Sequence, residues 1–74
     1  MWLEIARAQY EAFPESVQRQ IDLKLDLLLD DPERYGDYDK ASDQWTTEFG
    51  GGAGLIVYAV VHKNVKVIVL RLVG

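Results

Sequence analysis

Glu48 and Arg71 are the side chains of this 74-residue sequence with the best claim to acid–base chemistry. Such chemistry requires a base, a proton donor and, where negative charge develops, cations that stabilise it. Glu48 can serve as the base, but Arg71 is the sole cation that we expect on its face of the sheet. The two residues are therefore catalytic candidates only, and no residue is assigned a catalytic role.

Two other patterns favour a structural role over a chemical one. "DYDKASD" places Asp37, Asp39 and Asp43 as in the opening of a calcium loop, but the glycine at the sixth position and the closing glutamate are missing. "GGGAG" lacks the lysine and the serine or threonine of a phosphate-binding loop. The sequence therefore predicts no metal site and no cofactor.

The charge of the chain argues against free nucleic acid as a partner. The net charge is −4, and the acidic residues are concentrated between Asp26 and Asp43. Phosphate backbones are bound by basic surfaces, so this balance is unfavourable for them. The first residues, "MWLEIARAQYEAF", lack the basic head of a secretory signal, and His62, Lys63 and Asn64 interrupt the longest apolar run. We expect a cytoplasmic protein that does not enter membranes, with His62 at a polar hairpin corner.

Hydrophobic periodicity predicts helices over about 2–13 and 15–30, separated at Pro14. The first helix has one apolar stripe, formed by Trp2, Ala6, Tyr10 and Phe13. The second has another, formed by Val17, Ile21, Leu25, Leu28 and Leu29. The acidic segment that follows contains Pro32 and Gly36 and is predicted to be a long surface connection.

Three strands are predicted after this connection, over about 44–49, 55–61 and 65–73. The first alternates apolar and polar residues, and the other two form a hairpin. The predicted fold is α+β, with an N-terminal helical hairpin packed on a three- to four-stranded antiparallel sheet. We expect one domain over residues 1–74.

Both faces of the predicted hairpin are apolar, and the helices can cover only one of them. Strict alternation puts even positions on one face, namely Ile56, Tyr58, Val60, Ile68, Leu70 and Leu72. The other face takes odd positions, namely Leu55, Val57, Ala59, Val61, Val65, Val67, Val69 and Val73. An uncovered face of this kind exposes on the order of 400 Å² of apolar surface, which indicates a partner or a homodimer. The predicted partner-binding residues are Leu55, Val57, Ala59, Val67, Val69 and Arg71.

The order of these features resembles the RelE/ParE superfamily of toxins from bacterial type II toxin–antitoxin systems. The similarity lies in "A-x-x-x-Y-x-A-F-P-E-S-V-Q-x-Q-I-x-x-x-L-x-x-L-L-x-D-P", "W-T-T-E-F-G-G-G-A-G-L-I-V-Y-A-V" and "V-K-V-I-V-L-R-L-V". The resemblance implies a helical hairpin on an antiparallel sheet and a cognate antitoxin that wraps the toxin. It also implies one of two activities, cleavage of messenger RNA on the ribosome or inhibition of DNA gyrase.

The basic positions that RelE-like ribonucleases use correspond to Thr46, Glu48 and Leu55, and their terminal arginine corresponds to a position past Gly74. The family's strand before the first helix corresponds to "MWLE". Because the cations are missing, the sequence favours a toxin-like protein that acts by binding its antitoxin, with gyrase as a further candidate target. The alternative is a divergent ribosome-dependent endoribonuclease using Glu48 and Arg71. A third interpretation is a degenerate or trimmed relative that oligomerises.

Overall fold

The computed structural model describes residues 1–61 and 66–74, in the order of two helices and then four strands. The elements are α1 (Glu4–Ala12), α2 (Glu15–Asp30), β1 (Asp37–Asp39), β2 (Gln44–Phe49), β3 (Gly54–Val61) and β4 (Lys66–Val73). The strands form one antiparallel sheet in the order β1-β2-β3-β4. This architecture confirms the predicted α+β fold class. The predicted corner at His62 and Lys63, and the placement of Val65, lie outside the described residues.

The first three residues pair with β4, so α1 begins at Glu4 and not at Trp2 as predicted. The Leu3 amide donates to the Val69 carbonyl at 3.0 Å, and the Val69 amide donates to the Met1 carbonyl at 2.9 Å. These bonds make a parallel bridge between Trp2 and Val69. Pairing with an open sheet edge satisfies more backbone groups than two further residues of a frayed helix end.

β1 lies inside the segment that the sequence predicted to be a surface connection. It pairs with the start of β2, from Asp37 opposite Thr46 to Asp39 opposite Gln44. All three residues of β1 are exposed, so no buried face gives the period-two signal by which strands are recognised. The prediction of an irregular connection is wrong over these residues.

Side-chain hydrogen bonds close the turn between β1 and β2. The Asp39 carboxylate accepts hydrogen bonds from the Ala41 amide at 3.0 Å and from the Ser42 hydroxyl at 2.9 Å. Asp43 has a φ of 54°, a left-handed conformation that aspartate tolerates, and its carboxylate accepts the Tyr38 hydroxyl at 2.6 Å. The acidic residues thus build a hairpin turn.

The core lies between the two helices and one face of the sheet. Its buried members are Ala6, Ile21, Leu28, Phe49, Ile56, Tyr58, Val67, Val69 and Leu72. Trp2, Tyr10, Phe13, Val17 and Leu25 pack against them with part of their surface exposed. Both predicted helix stripes therefore face the core, with one exception. Leu29 is 61% exposed, because it lies at the outer margin of the α2 stripe.

A β-bulge in β4 changes which residues share a face. Val57 lies opposite Arg71, but the next residue of β3, Tyr58, lies opposite Val69, so one residue of β4 is left without a partner. As a result Val67 and Val69 lie on the helix-covered face, where they are 4% and 2% exposed. The prediction that they share a face with Leu55 is wrong, because it assumed an unbroken period of two.

Tyr58 joins the sheet to the segment after α2. Its side chain is fully buried, and its hydroxyl donates a hydrogen bond to the Pro32 carbonyl at 2.6 Å. Gly36 lies so close that a Cβ atom there would overlap the Tyr58 hydroxyl oxygen. Burial, with a smaller contribution from the charge of Asp37, raises the pKa of Tyr58 to about 12. The contact holds residues 32–36 against the edge of the sheet.

We expect Tyr58→Phe to remove a stability loss that the wild type shows at alkaline pH. In the unfolded chain this tyrosine ionises near its ordinary pKa of 10.0, and in the folded chain near 12. The contribution of the neutral Tyr58 to the free energy of unfolding is therefore fully present below about pH 10. It falls by roughly 2 to 3 kcal/mol as the pH rises towards 12. At pH 8 the variant should already be less stable by about 1–3 kcal/mol, because the Pro32 carbonyl loses its donor.

Urea unfolding of both proteins at pH 8 and at pH 11.5 measures these differences. The wild type should lose more stability than Tyr58→Phe between the two pH values. Equal losses would contradict a buried, neutral Tyr58.

Candidate functional site

The outer sheet face is the face of the sheet opposite the helices. Its residues are Asp37, Asp39, Gln44, Thr46, Glu48, Leu55, Val57, Ala59, Val61, Lys66, Ile68, Arg71 and Val73. Both helices pack on the other face, so neither covers it. Four of the predicted partner-binding residues, Leu55, Val57, Ala59 and Arg71, lie on this face, whereas Val67 and Val69 do not.

The centre of the outer sheet face is apolar and its margins are exposed. Val57 is 5% exposed although no helix lies over it, because Thr46 and Arg71 flank it across the neighbouring strands. Leu55 and Val73, which lie opposite each other, are 37% and 47% exposed. The face combines a flat apolar middle with accessible aliphatic side chains, which is typical of protein-interaction surfaces.

Glu48 and Arg71 lie on this face but are not brought together. Glu48 lies in a cross-strand row with Leu55 and Val73, whereas Arg71 lies in the row of Val57. Two strand spacings and two residue rises separate their Cα atoms by roughly 12 Å. Leu55 and Val57 of β3 lie between the two rows, and no ion pair joins Glu48 and Arg71 among the described residues, so they do not form a paired acid–base site.

A polar cleft, which we call the edge cleft, lies where β2 extends beyond β1. Its volume is about 400 Å³, and its lining residues are Lys24, Arg34, Tyr35, Gly36, Asp37, Thr46, Thr47, Glu48 and Leu55. The Thr47 hydroxyl donates to the Tyr35 carbonyl at 2.6 Å, which fixes the segment after α2 against β2. The Arg34 guanidinium lies 5.6 Å from the centre of the Tyr35 ring.

The edge cleft places two cations in the same cavity as Glu48, which sequence reasoning missed. Lys24 lies three residues after the buried Ile21 and four before the buried Leu28, so its position borders the core stripe of α2. That spacing is a signal that could have placed Lys24 against the sheet. The sequence contains no comparable spacing for Arg34. Its position depends on the contact between residues 32–36 and Tyr58, which are far apart in the chain.

The charges in the edge cleft are mixed. Lys24 and Arg34 bring two positive charges, and Asp37 and Glu48 bring two negative ones. An isolated phosphate therefore meets carboxylates as well as cations. The cleft can bind a ligand that presents both charges, such as a polypeptide, and a carboxylate and two cations line the same cavity.

Neither a metal cluster nor a membrane-spanning helix is found in the described parts of the chain. Within residues 1–61 and 66–74, no group of three or more His, Cys, Asp or Glu side chains is arranged to hold a metal ion. The Asp39 and Asp43 carboxylates of the DYDKASD segment are instead bonded to neighbouring groups of the turn. Among the described helices, none has the length and apolar character that crossing a membrane requires.

Comparison with known proteins supports the fold that the sequence resemblance implied. Neither a model of a protein family nor a curated protein matches the chain. Among solved structures, it is similar to a chain in the crystal structure of the intact E. coli RelBE toxin–antitoxin complex. The TM-score is 0.75 at 19% sequence identity, and the match covers 97% of this chain and 89% of that chain. The protein therefore has a RelE-like toxin fold, as predicted.

Proposed function

We propose that this chain is the toxin-like component of a toxin–antitoxin pair and that it acts by binding proteins. Its fold is similar to that of a chain in a toxin–antitoxin complex, which supports an antitoxin as its partner. We place the interaction in the cytoplasm. A homodimer and DNA gyrase are further candidate partners under the same proposal.

The observation that carries the proposal is the uncovered outer sheet face. Leu55, Val61 and Val73 are between 37% and 47% exposed around the buried Val57. At about 25 cal/mol per Å², covering an apolar area on the order of 400 Å² contributes about 10 kcal/mol before the entropic costs of association. An antitoxin segment with apolar side chains, and a carboxylate opposite Arg71, fits this face.

Arg71 supports a protein partner more than an RNA partner. It is exposed, and its row on the sheet continues through the uncharged Val57 and Thr46 to the acidic Asp37. The Arg71 guanidinium can bind a single carboxylate of a partner, while the aliphatic stem of the side chain packs against apolar surface. Following an RNA backbone requires several cations in a line.

A second candidate function is a divergent ribosome-dependent mRNA interferase, and the edge cleft favours it. Glu48 would act as the base that removes the 2′-hydroxyl proton, and Lys24 and Arg34 would stabilise the phosphorane. The bond from phosphorus to the 5′-oxygen would then break, and the Lys24 ammonium would protonate that oxygen as it leaves. Arg71 would not take part, because Leu55 and Val57 separate it from Glu48. The ribosome would be the partner in this case.

The first test looks for a small open reading frame next to the gene of this chain and uses its product as the candidate antitoxin. We expect a stable complex when the two are produced together, and a loss of affinity of at least tenfold for Leu55→Asp. A carboxylate in the apolar interface loses its hydration without gaining a partner, which costs more than 1.4 kcal/mol. Isothermal titration calorimetry measures the affinity.

Leu23→Asp is the matched control for this test. Leu23 is 68% exposed on α2 and is not part of the outer sheet face, so its substitution should leave the affinity within about twofold. Equal effects of the two substitutions, or no complex with the wild type, would overturn the proposed interaction surface.

The second test asks whether the chain cleaves messenger RNA on purified ribosomes. The protein-binding proposal predicts no cleavage above background. Cleavage that disappears in Glu48→Ala, and persists in a variant of the exposed Glu4 on α1, would overturn that proposal and support the interferase. Primer extension on a ribosome-bound message provides the readout.

A further inference from the structure

An apolar groove lies between the two helices, and we call it the helix groove. Its volume is about 490 Å³, and its lining residues are Trp2, Arg7, Tyr10, Glu11, Asp22, Leu25, Asp26 and Leu29. It shares no residue with the outer sheet face or the edge cleft. The proposed toxin-like role does not use it.

The floor of the helix groove is apolar. Trp2, Tyr10 and Leu25 are half-buried against the core, and Leu29 is 61% exposed beside them. The rings of Trp2 and Tyr10 lie 5.0 Å apart with an interplanar angle of 60°. Two aromatic rings and two leucines form a continuous surface on which apolar side chains of a partner can pack.

Hydrogen bonds between the helices hold the helix groove in shape. The Tyr10 hydroxyl donates to both carboxylate oxygens of Asp22, at 2.8 and 3.1 Å. The Gln18 side-chain amide donates to the Tyr10 carbonyl at 2.9 Å. Because α1 and α2 are tied together at this point, a ligand does not have to order the groove on binding.

The rim of the helix groove is negatively charged. Glu11, Asp22 and Asp26 contribute three carboxylates and Arg7 one guanidinium, which leaves a net charge of −2. The Arg7 guanidinium lies 3.4 Å from a Glu11 carboxylate oxygen, so the one cation is already paired. An apolar floor within an acidic rim attracts an apolar ligand that carries positive charge.

We propose that the helix groove binds a short cationic amphipathic segment of a partner protein. Its apolar side chains pack on Trp2, Leu25 and Leu29, and its lysine or arginine side chains face Asp26. A second copy of this chain is disfavoured, because each copy has a net charge of −4. The nine residues of α1 give the groove a length of about 13 Å, which accommodates two to three turns of helix.

The probe for this proposal is a synthetic amphipathic peptide made of leucine and lysine. Its control is the same peptide with glutamate in place of lysine. We expect the lysine peptide to shift the NMR signals of the Trp2 indole and of the α1 and α2 amides, with an affinity that weakens as salt is added. The glutamate peptide should not bind at comparable concentration.

Two matched pairs of variants locate the binding site. Asp26→Lys reverses a charge on the rim, and Asp30→Lys makes the same change on α2 outside the groove. We expect Asp26→Lys to raise the Kd at least fivefold and Asp30→Lys to change it less than twofold. Leu29→Ala should raise the Kd more than Leu23→Ala, because only Leu29 lines the groove. The two variants are matched, since both leucines are more than 60% exposed.

All four substitutions are at exposed positions and should leave the folded NMR spectrum intact. The proposal is overturned if the two lysine variants weaken binding equally, since overall charge would then explain the result. It is also overturned if the peptide shifts outer-face signals instead, if both peptides bind alike, or if the chain self-associates through the groove. The effect of Leu55→Asp on antitoxin binding tests only the toxin-like role, because Leu55 does not line the helix groove.

Discussion

A single layer of two helices can cover only one face of a sheet, and the rest of this structure depends on that limit. The apolar stripes of α1 and α2 pack on one face of the sheet, where Ile21 and Leu28 are fully buried. The last two strands are nevertheless apolar on both sides. The outer sheet face therefore keeps aliphatic side chains that the described parts of the chain leave accessible, and the proposed binding role rests on this accessibility.

The edges of the sheet also influence where partners can bind. At the β4 edge, Met1 and Leu3 pair with Val69, and the Gln9 side chain accepts a hydrogen bond from the Leu72 amide at 2.8 Å. These contacts occupy the backbone groups that would otherwise recruit another strand. The surfaces that remain for the proposed partners are the two faces of the molecule and the edge cleft beside the short β1. The outer sheet face and the helix groove lie on different layers, so the two proposed ligands would not compete for the same residues.

The sequence was sufficient for the elements whose signals are periodic. The bounds of α2 and β2 follow from the spacing of buried residues such as Ile21 and Phe49, and the order of motifs indicated the RelE-like fold. The sequence failed where geometry depends on one residue or on a local hydrogen bond. β1 has no buried face, and its turn is built by Asp39 and Asp43.

The candidate site was predictable only in part, for a related reason. The alternating pattern placed Leu55, Val57 and Ala59 correctly on one face, but a single bulge transferred Val67 and Val69 to the other. No pattern in one sequence marks the position of such a bulge, because both faces of β4 are apolar and either register buries valines. The edge cleft depends on the packing of residues 32–36 against Tyr58, a contact between segments 26 residues apart.

Accessibility of methyl groups to a soluble paramagnetic compound tests most directly whether the outer sheet face is uncovered. NMR relaxation enhancements would be measured for the isolated chain at a concentration where sedimentation shows a monomer. We expect strong enhancement for the methyl groups of Leu55, Val61 and Val73, and weak enhancement for those of Ile56 and Leu72. Equal protection of the two groups in the monomer would mean that the chain covers its own outer face, and would contradict the account.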